Sequence, residues 1–390
     1  MFKRTAAFIV FLISISLISL SAAIPTYAQT RGLVLRQFAQ AGSFGRLELL
    51  TAGNVSQPLF DYPAELEFLQ MAVSPNLAWL AAWGTPQGSN VALAAYRRMN
   101  GRPNPILLPN NVDVIGGFFS ADSRYFIYNY TSRSLTEFGI GMVEISTGRQ
   151  LLLNGNFSAA QGLGGLAALP IGFDGRNLIV AGFAPYSDAG FGGLYRIDVS
   201  GTAVLNTGIY PLPRAARLSA QTEVSEYAVA PNQRQVAILY HDPANPPQGA
   251  QPAPGPRPAN SLTVIEVANG RARRIAQAGP GLALSGIAWT DDSSQIYFTG
   301  GLLRYDPNGA PRGFGGIFAV NVGDGQVRVA ADLGNDGAGL WGICGGTLFW
   351  RIDSPNLAFP QLAISNPAAI SANDRTDRPA DSVQVQGCNR

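Results

Sequence analysis

The stretch Tyr227-Ala-Val-Ala-Pro-Asn-Gln-Arg-Gln-Val-Ala-Ile-Leu-Tyr240 decides the fold. Two apolar runs flank a short polar turn, and the turn carries Asn232. Asn and Asp suit such a position because their side chains tolerate turn backbone and accept hydrogen bonds from nearby amides. The stretch therefore predicts a β-hairpin.

The same shape occurs six times along the chain. The turn positions are separated by 46 to 60 residues and are Asn76, Asp122, Asp174, Asn232, Asp292 and Gly345. This spacing is typical of propeller blades rather than helical solenoids. In most repeats a second hairpin follows, in which polar and apolar residues alternate on both sides of a Gly turn, as at 262–271 and 317–329. Each repeat therefore predicts four strands.

Composition agrees with an all-β chain. The 45 glycines and 27 prolines make long helices improbable. The chain is 46% hydrophobic and only 13% charged, which is the reverse of a disordered composition.

The two ends predict how the repeats close. Residues 46–60 resemble a second hairpin without a first one, and residues 340–352 resemble a first hairpin whose successor is unclear. Joining them gives one composite blade and removes the open sheet edge. We therefore predict a six-bladed β-propeller of four-stranded antiparallel blades. Seven blades are the alternative, if 361–365 or 382–386 forms a blade strand.

The repeat resembles that of TolB-type, WD-repeat-like β-propellers, in which a Ser-Pro-Asp-Gly turn precedes a hydrophobic strand. The resemblance covers residues 33–352 and is carried by turns such as Ser74-Pro75-Asn76 and Ala230-Pro231-Asn232. These have Asn where the family prefers Asp, and the third and sixth repeats keep only part of the pattern. The resemblance implies a fold and the binding of proteins or small ligands on one face, and it implies no catalytic residues.

The N-terminus predicts export. Lys3 and Arg4 precede an apolar run from Ala6 to Leu20, and a small-residue cleavage site ends at Ala28. We predict a signal peptide over 1–28, a propeller over 29–353 and a C-terminal tail over 354–390. The mature chain would be secreted, periplasmic or on the cell surface, and bound to a membrane only if the segment is not cleaved.

Charge excludes one class of partner. The 27 basic residues exceed the 25 acidic ones by two, and both extra cations lie within residues 1–28. A neutral mature chain lacks the basic surface that nucleic-acid binding requires.

Cys344 and Cys388 are the only cysteines. In an oxidising compartment they predict a disulfide that also holds the tail. Such a loop contributes about 4 kcal/mol in the chain-entropy model. The alternative is two unpaired thiols.

Loop lengths predict the ligand face. The Asn/Asp and Gly turns are short, whereas the connections between second and third strands and between blades are long and emerge on the opposite face. Long loops on a rigid scaffold are more often functional than structural. The segment 242–260 holds seven prolines, which predicts an extended excursion.

The candidate site residues lie on or near that face. Acids in or just before the innermost strands would be the ligands of a central Ca²⁺, and they are Asp113, Glu223, Glu226 and Asp336. Exposed aromatic residues would bind a glycan, and they are Tyr186, Phe191 and Tyr210. His241, the only histidine, excludes multi-histidine metal sites and is interpreted as facing solvent. The cluster Arg271, Arg273 and Arg274 is interpreted as solvated surface.

No catalytic motif is present, so no catalytic residue and no cofactor are predicted. We expect a protein-binding or scaffolding module with a protein partner. The alternatives are a Ca²⁺-dependent, lactonase-like hydrolase and a propeller that binds a carbohydrate or another small molecule.

Overall fold

Strands dominate the part of the chain that the structure, a computed structural model, describes. The described residues are 32–37, 45–62, 70–83, 93–97, 103–105, 112–132, 138–153, 167–183, 191–199, 205–210, 224–244, 258–279, 282–305, 311–354, 356–380 and 384–388, and in parts of several strands only the backbone is described. Short 3-10 helices span Ala52–Asn54 and Ala372–Asp374. Within these ranges no helix has the length and apolar character needed to cross a membrane.

The strands follow one another as antiparallel meanders. Those in the first part of the chain are β1 (Leu33–Gln37), β2 (Gly45–Thr51), β3 (Val55–Tyr62), β4 (Gln70–Val73), β5 (Trp79–Trp83), β6 (Leu93–Arg97), β7 (Pro103–Pro105), β8 (Val112–Phe119), β9 (Tyr125–Ser132), β10 (Phe138–Glu144), β11 (Gln150–Leu153), β12 (Ala167–Phe173), β13 (Asn177–Phe183), β14 (Phe191–Asp198) and β15 (Leu205–Tyr210). The others are β16 (Val224–Val229), β17 (Gln235–Tyr240), β18 (Ser261–Glu266), β19 (Ala272–Gln277), β20 (Leu282–Trp289), β21 (Gln295–Tyr305), β22 (Pro311–Asn321), β23 (Val327–Cys344), β24 (Thr347–Asp353), β25 (Gln361–Ser365), β26 (Arg375–Pro379) and β27 (Gln384–Cys388).

Hydrogen bonding groups these strands into four-stranded units. Five sheets have the orders β27-β1-β2-β3, β4 to β7, β8 to β11, β12 to β15 and β16 to β19, and a seven-stranded sheet runs from β20 to β26. Its strand β23 is 18 residues long and pairs with β22 before Gly337 and with β24 after it. β23 is thus the last strand of one unit and the first of the next. We call the seven units blades 1 to 7, and blade 1 contains β27.

Apolar clusters join the blades into a ring. One cluster of buried side chains lies at each junction: blades 1 and 2, 2 and 3, 3 and 4, 4 and 5, 5 and 6, 6 and 7, and 7 and 1. Seven junctions for seven blades close the ring, which is the arrangement of a β-propeller. The prediction of six blades is not confirmed, and the strand pairing favours the alternative of seven.

Strand β17 shows why the blades stack. Val236, Ile238 and Tyr240 pack toward blade 4, whereas Ala237 and Leu239 pack toward blade 6. Successive side chains of a strand point to opposite faces, so a continuous apolar run buries both faces of its sheet.

The first strands of the blades lie innermost. Contacts run between β27 and β4, β4 and β8, β12 and β16, β16 and β20, β20 and β23, and β23 and β27. These strands therefore surround the centre of the ring, and the later strands of each blade lie farther out.

The ring closes through the two ends of the described chain, but not with the predicted partner. β1 pairs with β27, with Leu33 opposite Cys388. The segment 340–352, which we expected to complete this blade, instead pairs with β25 and belongs to blade 7.

The predicted tail from residue 354 also differs from the structure, since β25 and β26 complete blade 7. The outermost strand β26 is largely polar and partly exposed, so it lacks the apolar alternation that marks a strand in the sequence. Asp374 supports it by accepting hydrogen bonds from the Ser371 amide at 2.9 Å and the Ser365 hydroxyl at 2.6 Å.

The surroundings of Cys344 support the predicted disulfide. Cys344 is buried in the cluster between blades 7 and 1 together with Leu33, the register partner of Cys388. Within the described residues no cysteine thiol is free. The bond to Cys388 itself stays a prediction.

The repeated turns bind one another as well as their own strands. The Asn232 side chain accepts the amide of Arg234 at 2.8 Å, as predicted for a turn Asn. The left-handed residue is the next one, however: φ is 59° at Gln233 and 63° at Ser293. The Ser293 hydroxyl accepts the Asn232 amide of the neighbouring blade at 3.1 Å, and Ser123 accepts the Asn76 amide at 3.0 Å in the same way.

Closure by β27 can be tested by ending the chain at Ala380. We expect the truncated protein to melt at a lower temperature and to associate, because both β1 and the cluster around Leu33 lose a covering strand. Circular dichroism melting and light scattering after size exclusion would measure this. Cys388→Ser in the full chain controls for the loss of the cysteine. A truncated protein that stays monomeric with an unchanged melting temperature would contradict closure by β27.

Candidate functional site

The predicted site acids are placed on different blades. Asp113 lies on β8 opposite Thr131, Glu226 lies on β16, and Asp336 lies on β23 near the point where this strand passes between blades. Over the described ranges no group of three or more His, Cys, Asp or Glu side chains could hold a metal ion. The structure therefore does not bring these three acids together.

The other candidates cannot be placed in a site. Glu223 and Tyr186 lie outside the described residues. Tyr210 ends β15, the outermost strand of blade 4, and Phe191 begins β14, but neither side chain is described.

Glu226 is a half-buried carboxylate that bonds to the backbone of the neighbouring blade. Its two oxygens accept the backbone amides of Gly286 at 2.9 Å and Ile287 at 2.8 Å. Both amides belong to β20, the innermost strand of the next blade. Glu226 therefore ties the inner strands of blades 5 and 6 together.

A bulge in β20 makes this contact. The register of β20 against β21 shifts between Ser285 and Ala288, and Gly286 has φ of 69°. A β-bulge leaves residues unpaired in the ladder, so these amides can bond elsewhere. A Cβ on Gly286 would also lie 3.3 Å from Cβ of Leu340. The tripeptide Ser285-Gly286-Ile287 is the only sign of this bulge in the sequence.

Burial raises the pKa of Glu226, and the two amide hydrogen bonds offset only part of that rise. The folded protein therefore binds the Glu226 proton more tightly than the unfolded chain does. The contribution of this group to stability falls as the pH rises from the unfolded value of about 4.3 through the raised folded pKa.

A second polar cluster lies where β17 and β18 meet the Pro-rich segment. Asn260 accepts the Asp242 amide at 2.7 Å and donates to the Asp242 carbonyl at 3.0 Å. The Asp242 carboxylate accepts the Ala244 amide at 2.9 Å and pairs with Arg274 at 3.1 Å. Asp242 and Asn260 are both buried. We call Asp242, Asn260 and Arg274 the loop anchor, because it joins the two ends of residues 243–259.

One interpretation from sequence is wrong at this anchor. His241 is buried rather than facing solvent, and its Nδ1 lies 3.1 Å from the Pro258 carbonyl oxygen. Arg274 is exposed, as interpreted from the sequence, and its guanidinium also forms an ion pair with the buried carboxylate of Asp242. The pairing of Asp242 with an arginine 32 residues later could not be found from local sequence.

The pH effect of Glu226 can be tested with Glu226→Gln. We expect the stability advantage of the wild type over this variant to shrink as the pH rises above about 4.3, because only the wild type must ionise a carboxyl group whose pKa is raised by partial burial. Urea unfolding between pH 4 and pH 8 would measure the difference. A Glu226→Gln difference that grows with pH would overturn the assignment.

The loop anchor can be tested with Asn260→Ala. The change removes two hydrogen bonds to the buried backbone of Asp242, so we expect a loss on the order of 3 kcal/mol in unfolding free energy. Asn269→Ala, at an exposed turn, is the matched control and should cost about 1 kcal/mol or less. Urea unfolding with amide hydrogen exchange at Asp242 would report both. Equal losses in the two variants would contradict the anchor.

No protein-family model matches this chain, and no curated protein matches it. Solved structures do. An oligogalacturonate lyase from Vibrio parahaemolyticus has a TM-score of 0.52 at 10% identity, over 85% of this chain and 91% of that one. A structure from a study of two prolyl endopeptidases has a TM-score of 0.51 at 15% identity, over 78% of this chain and 40% of that one.

The comparison with TolB gives a lower score. A putative TolB from Agrobacterium tumefaciens has a TM-score of 0.43 at 12% identity, over 78% of this chain and 90% of that one. This score is below the level at which a shared fold can be inferred. The two higher scores show a shared fold and nothing about activity. The comparisons therefore show the fold of the chain and assign it to no family.

Proposed function

We propose that this chain is an exported binding module that holds a protein partner on the face carrying the long connections. The observation that carries the proposal is the loop anchor, which fixes both ends of the Pro-rich connection between β17 and β18. A buried Asn and a buried Asp with a charged partner form a costly arrangement unless they are well bonded. Here the hydrogen bonds and the ion pair of the loop anchor hold the two ends of the connection between β17 and β18 in place.

The difference between the two faces supports the same proposal. The turns with Asn232 and Asp292 are short and bonded to their neighbours. The connection from Tyr240 to Ser261 is far longer than its hairpin needs. Rigid scaffolds with long connections on one face commonly carry binding there. The partner would be met in the periplasm or outside the cell, after removal of the predicted segment 1–28.

The hydrolase alternative is less well supported. Glu226, one of its expected calcium ligands, has both oxygens engaged by backbone amides. A central Ca²⁺ takes six to eight oxygen ligands, and within the described residues no group of three or more His, Cys, Asp or Glu side chains could hold a metal ion. We therefore favour binding over hydrolysis.

The test replaces residues 245–257 with a Gly/Ser segment of equal length, which leaves the loop anchor in place. We expect the variant to melt like the wild type but to lose partners that the wild type retains from an envelope extract of the source organism. Quantitative mass spectrometry of the retained proteins is the measurement. Ala268→Ser, at an exposed turn position on the opposite face, is the control and should leave the retained proteins unchanged.

Identical retained proteins for the wild type and the loop variant would contradict the proposal. Calorimetric titration with Ca²⁺ provides the second arm. Heat of binding that disappears in Glu226→Gln would favour the hydrolase instead.

A further inference from the structure

A groove of about 550 Å³ lies between blades 5 and 6, at the end that carries the short turns. Blade 5 contributes Gln235, Val264, Glu266, Arg271 and Arg273, and blade 6 contributes Ser293, Ser294, Asn321, Val322 and Gly323. Pockets of this volume accommodate small ligands or a few residues of a peptide. The groove is on the face opposite the proposed partner surface, so it is a separate feature.

The groove combines an apolar base with polar walls. Val264 and Val322 are buried and belong to the cluster between blades 5 and 6. Arg271 and Arg273 are exposed above them. Because both arginines line the groove two residues apart on an extended chain, their Cα atoms are about 7 Å apart.

Both guanidinium groups have N–H donors to spare. Arg273 donates to the Gly323 carbonyl at 3.0 Å, across the groove. Within the described residues the Arg271 side chain has no hydrogen bond or ion pair. A guanidinium has five N–H donors in a planar fork that matches a carboxylate.

Blade 3 has a hairpin with the same turn, but the glutamate of that turn has different partners. Glu144-Ile-Ser-Thr-Gly-Arg149 and Glu266-Val-Ala-Asn-Gly-Arg271 have the same turn, with the glutamate amide bonded to the arginine carbonyl at 2.8 and 2.9 Å. In blade 3 Glu144 pairs with Arg124 at 3.0 Å and lies 3.9 Å from Arg149. Hydrogen bonds from Thr147 and Arg124 lower the pKa of Glu144, so the acid is charged and neutralises its arginines.

In blade 5 the glutamate at this position, Glu266, forms no ion pair with another described residue. Glu266 accepts the side-chain amide of Asn269 at 2.8 Å. Blade 6 has the neutral Asn321 at the position of these glutamates, since its amide bonds to Gln326 in the same turn. The groove therefore contains two cations and one anion, and both arginines keep N–H groups that can donate to a ligand.

We propose that this groove binds an extended acidic peptide segment, with two carboxylate side chains two residues apart meeting Arg271 and Arg273. Alternate side chains of an extended peptide project on one side at the same spacing of about 7 Å. Charge-assisted bidentate hydrogen bonds from arginine supply the specificity. The proposal does not depend on the function proposed for the other face.

The test measures binding of the labelled peptide Ac-Ala-Glu-Val-Glu-Ala-NH2 by fluorescence anisotropy, with the Gln-for-Glu peptide beside it. The full chain is used in each case. We expect the Glu peptide to bind about tenfold more tightly than the Gln peptide, and Arg271→Gln and Arg273→Gln each to weaken it about tenfold. Arg149→Gln is the matched control, at the same turn position in blade 3, and should leave binding unchanged. Thermal melts verify that each variant is folded.

Three outcomes would overturn the proposal: equal binding of the two peptides, an effect of Arg149→Gln as large as that of Arg271→Gln, or no peptide binding by the wild type. Digalacturonate, a carboxylate of another class, is tested in parallel. If it binds with the same dependence on Arg271 and Arg273 while the peptide does not, the groove recognises a uronate and not a peptide.

Discussion

Burial of both faces of every sheet is the constraint on which the structure depends. A strand such as β17, with five buried residues in succession, exposes apolar surface unless another sheet covers each side. A stack of sheets of this kind always ends in two uncovered faces. Bringing the last sheet against the first removes both, and the cluster of Leu33, Leu35 and Phe349 at the junction of blades 7 and 1 does this. The closed ring thus follows from the apolar pattern of the strands.

Several polar contacts join one blade to the next, and three kinds of them meet between blades 5 and 6. Glu226 bonds to the bulge of β20, and Trp289 donates to the Ala228 carbonyl at 3.0 Å. The turn serine Ser293 accepts the amide of Asn232. These contacts are directional, whereas apolar burial is not. They therefore orient blades 5 and 6 relative to each other.

The sequence predicts the hairpins well because their signals are local. Asn232 and Asp292 act in their turns as expected, accepting amides two residues later. The number of blades is not local information. β23 shows no break in the chain at Gly337, although it passes there from blade 6 to blade 7, and the polar edge strand β26 lacks an apolar pattern. The contacts of the candidate site were predicted less well. Glu226 bonds to an amide 60 positions away and Arg274 pairs with an acid 32 positions away, so neither contact has a local signal in the sequence.

The pairing of Leu33 with Cys388 brings the first and last described strands to the same place on the ring. No covalent link along the backbone is needed there, because hydrogen bonds and the apolar cluster hold the junction. The order of the blades along the chain is therefore separable from their order in space. A circularly permuted gene, in which the present ends are joined and a long connection is opened, would encode the same set of blade contacts in a different order.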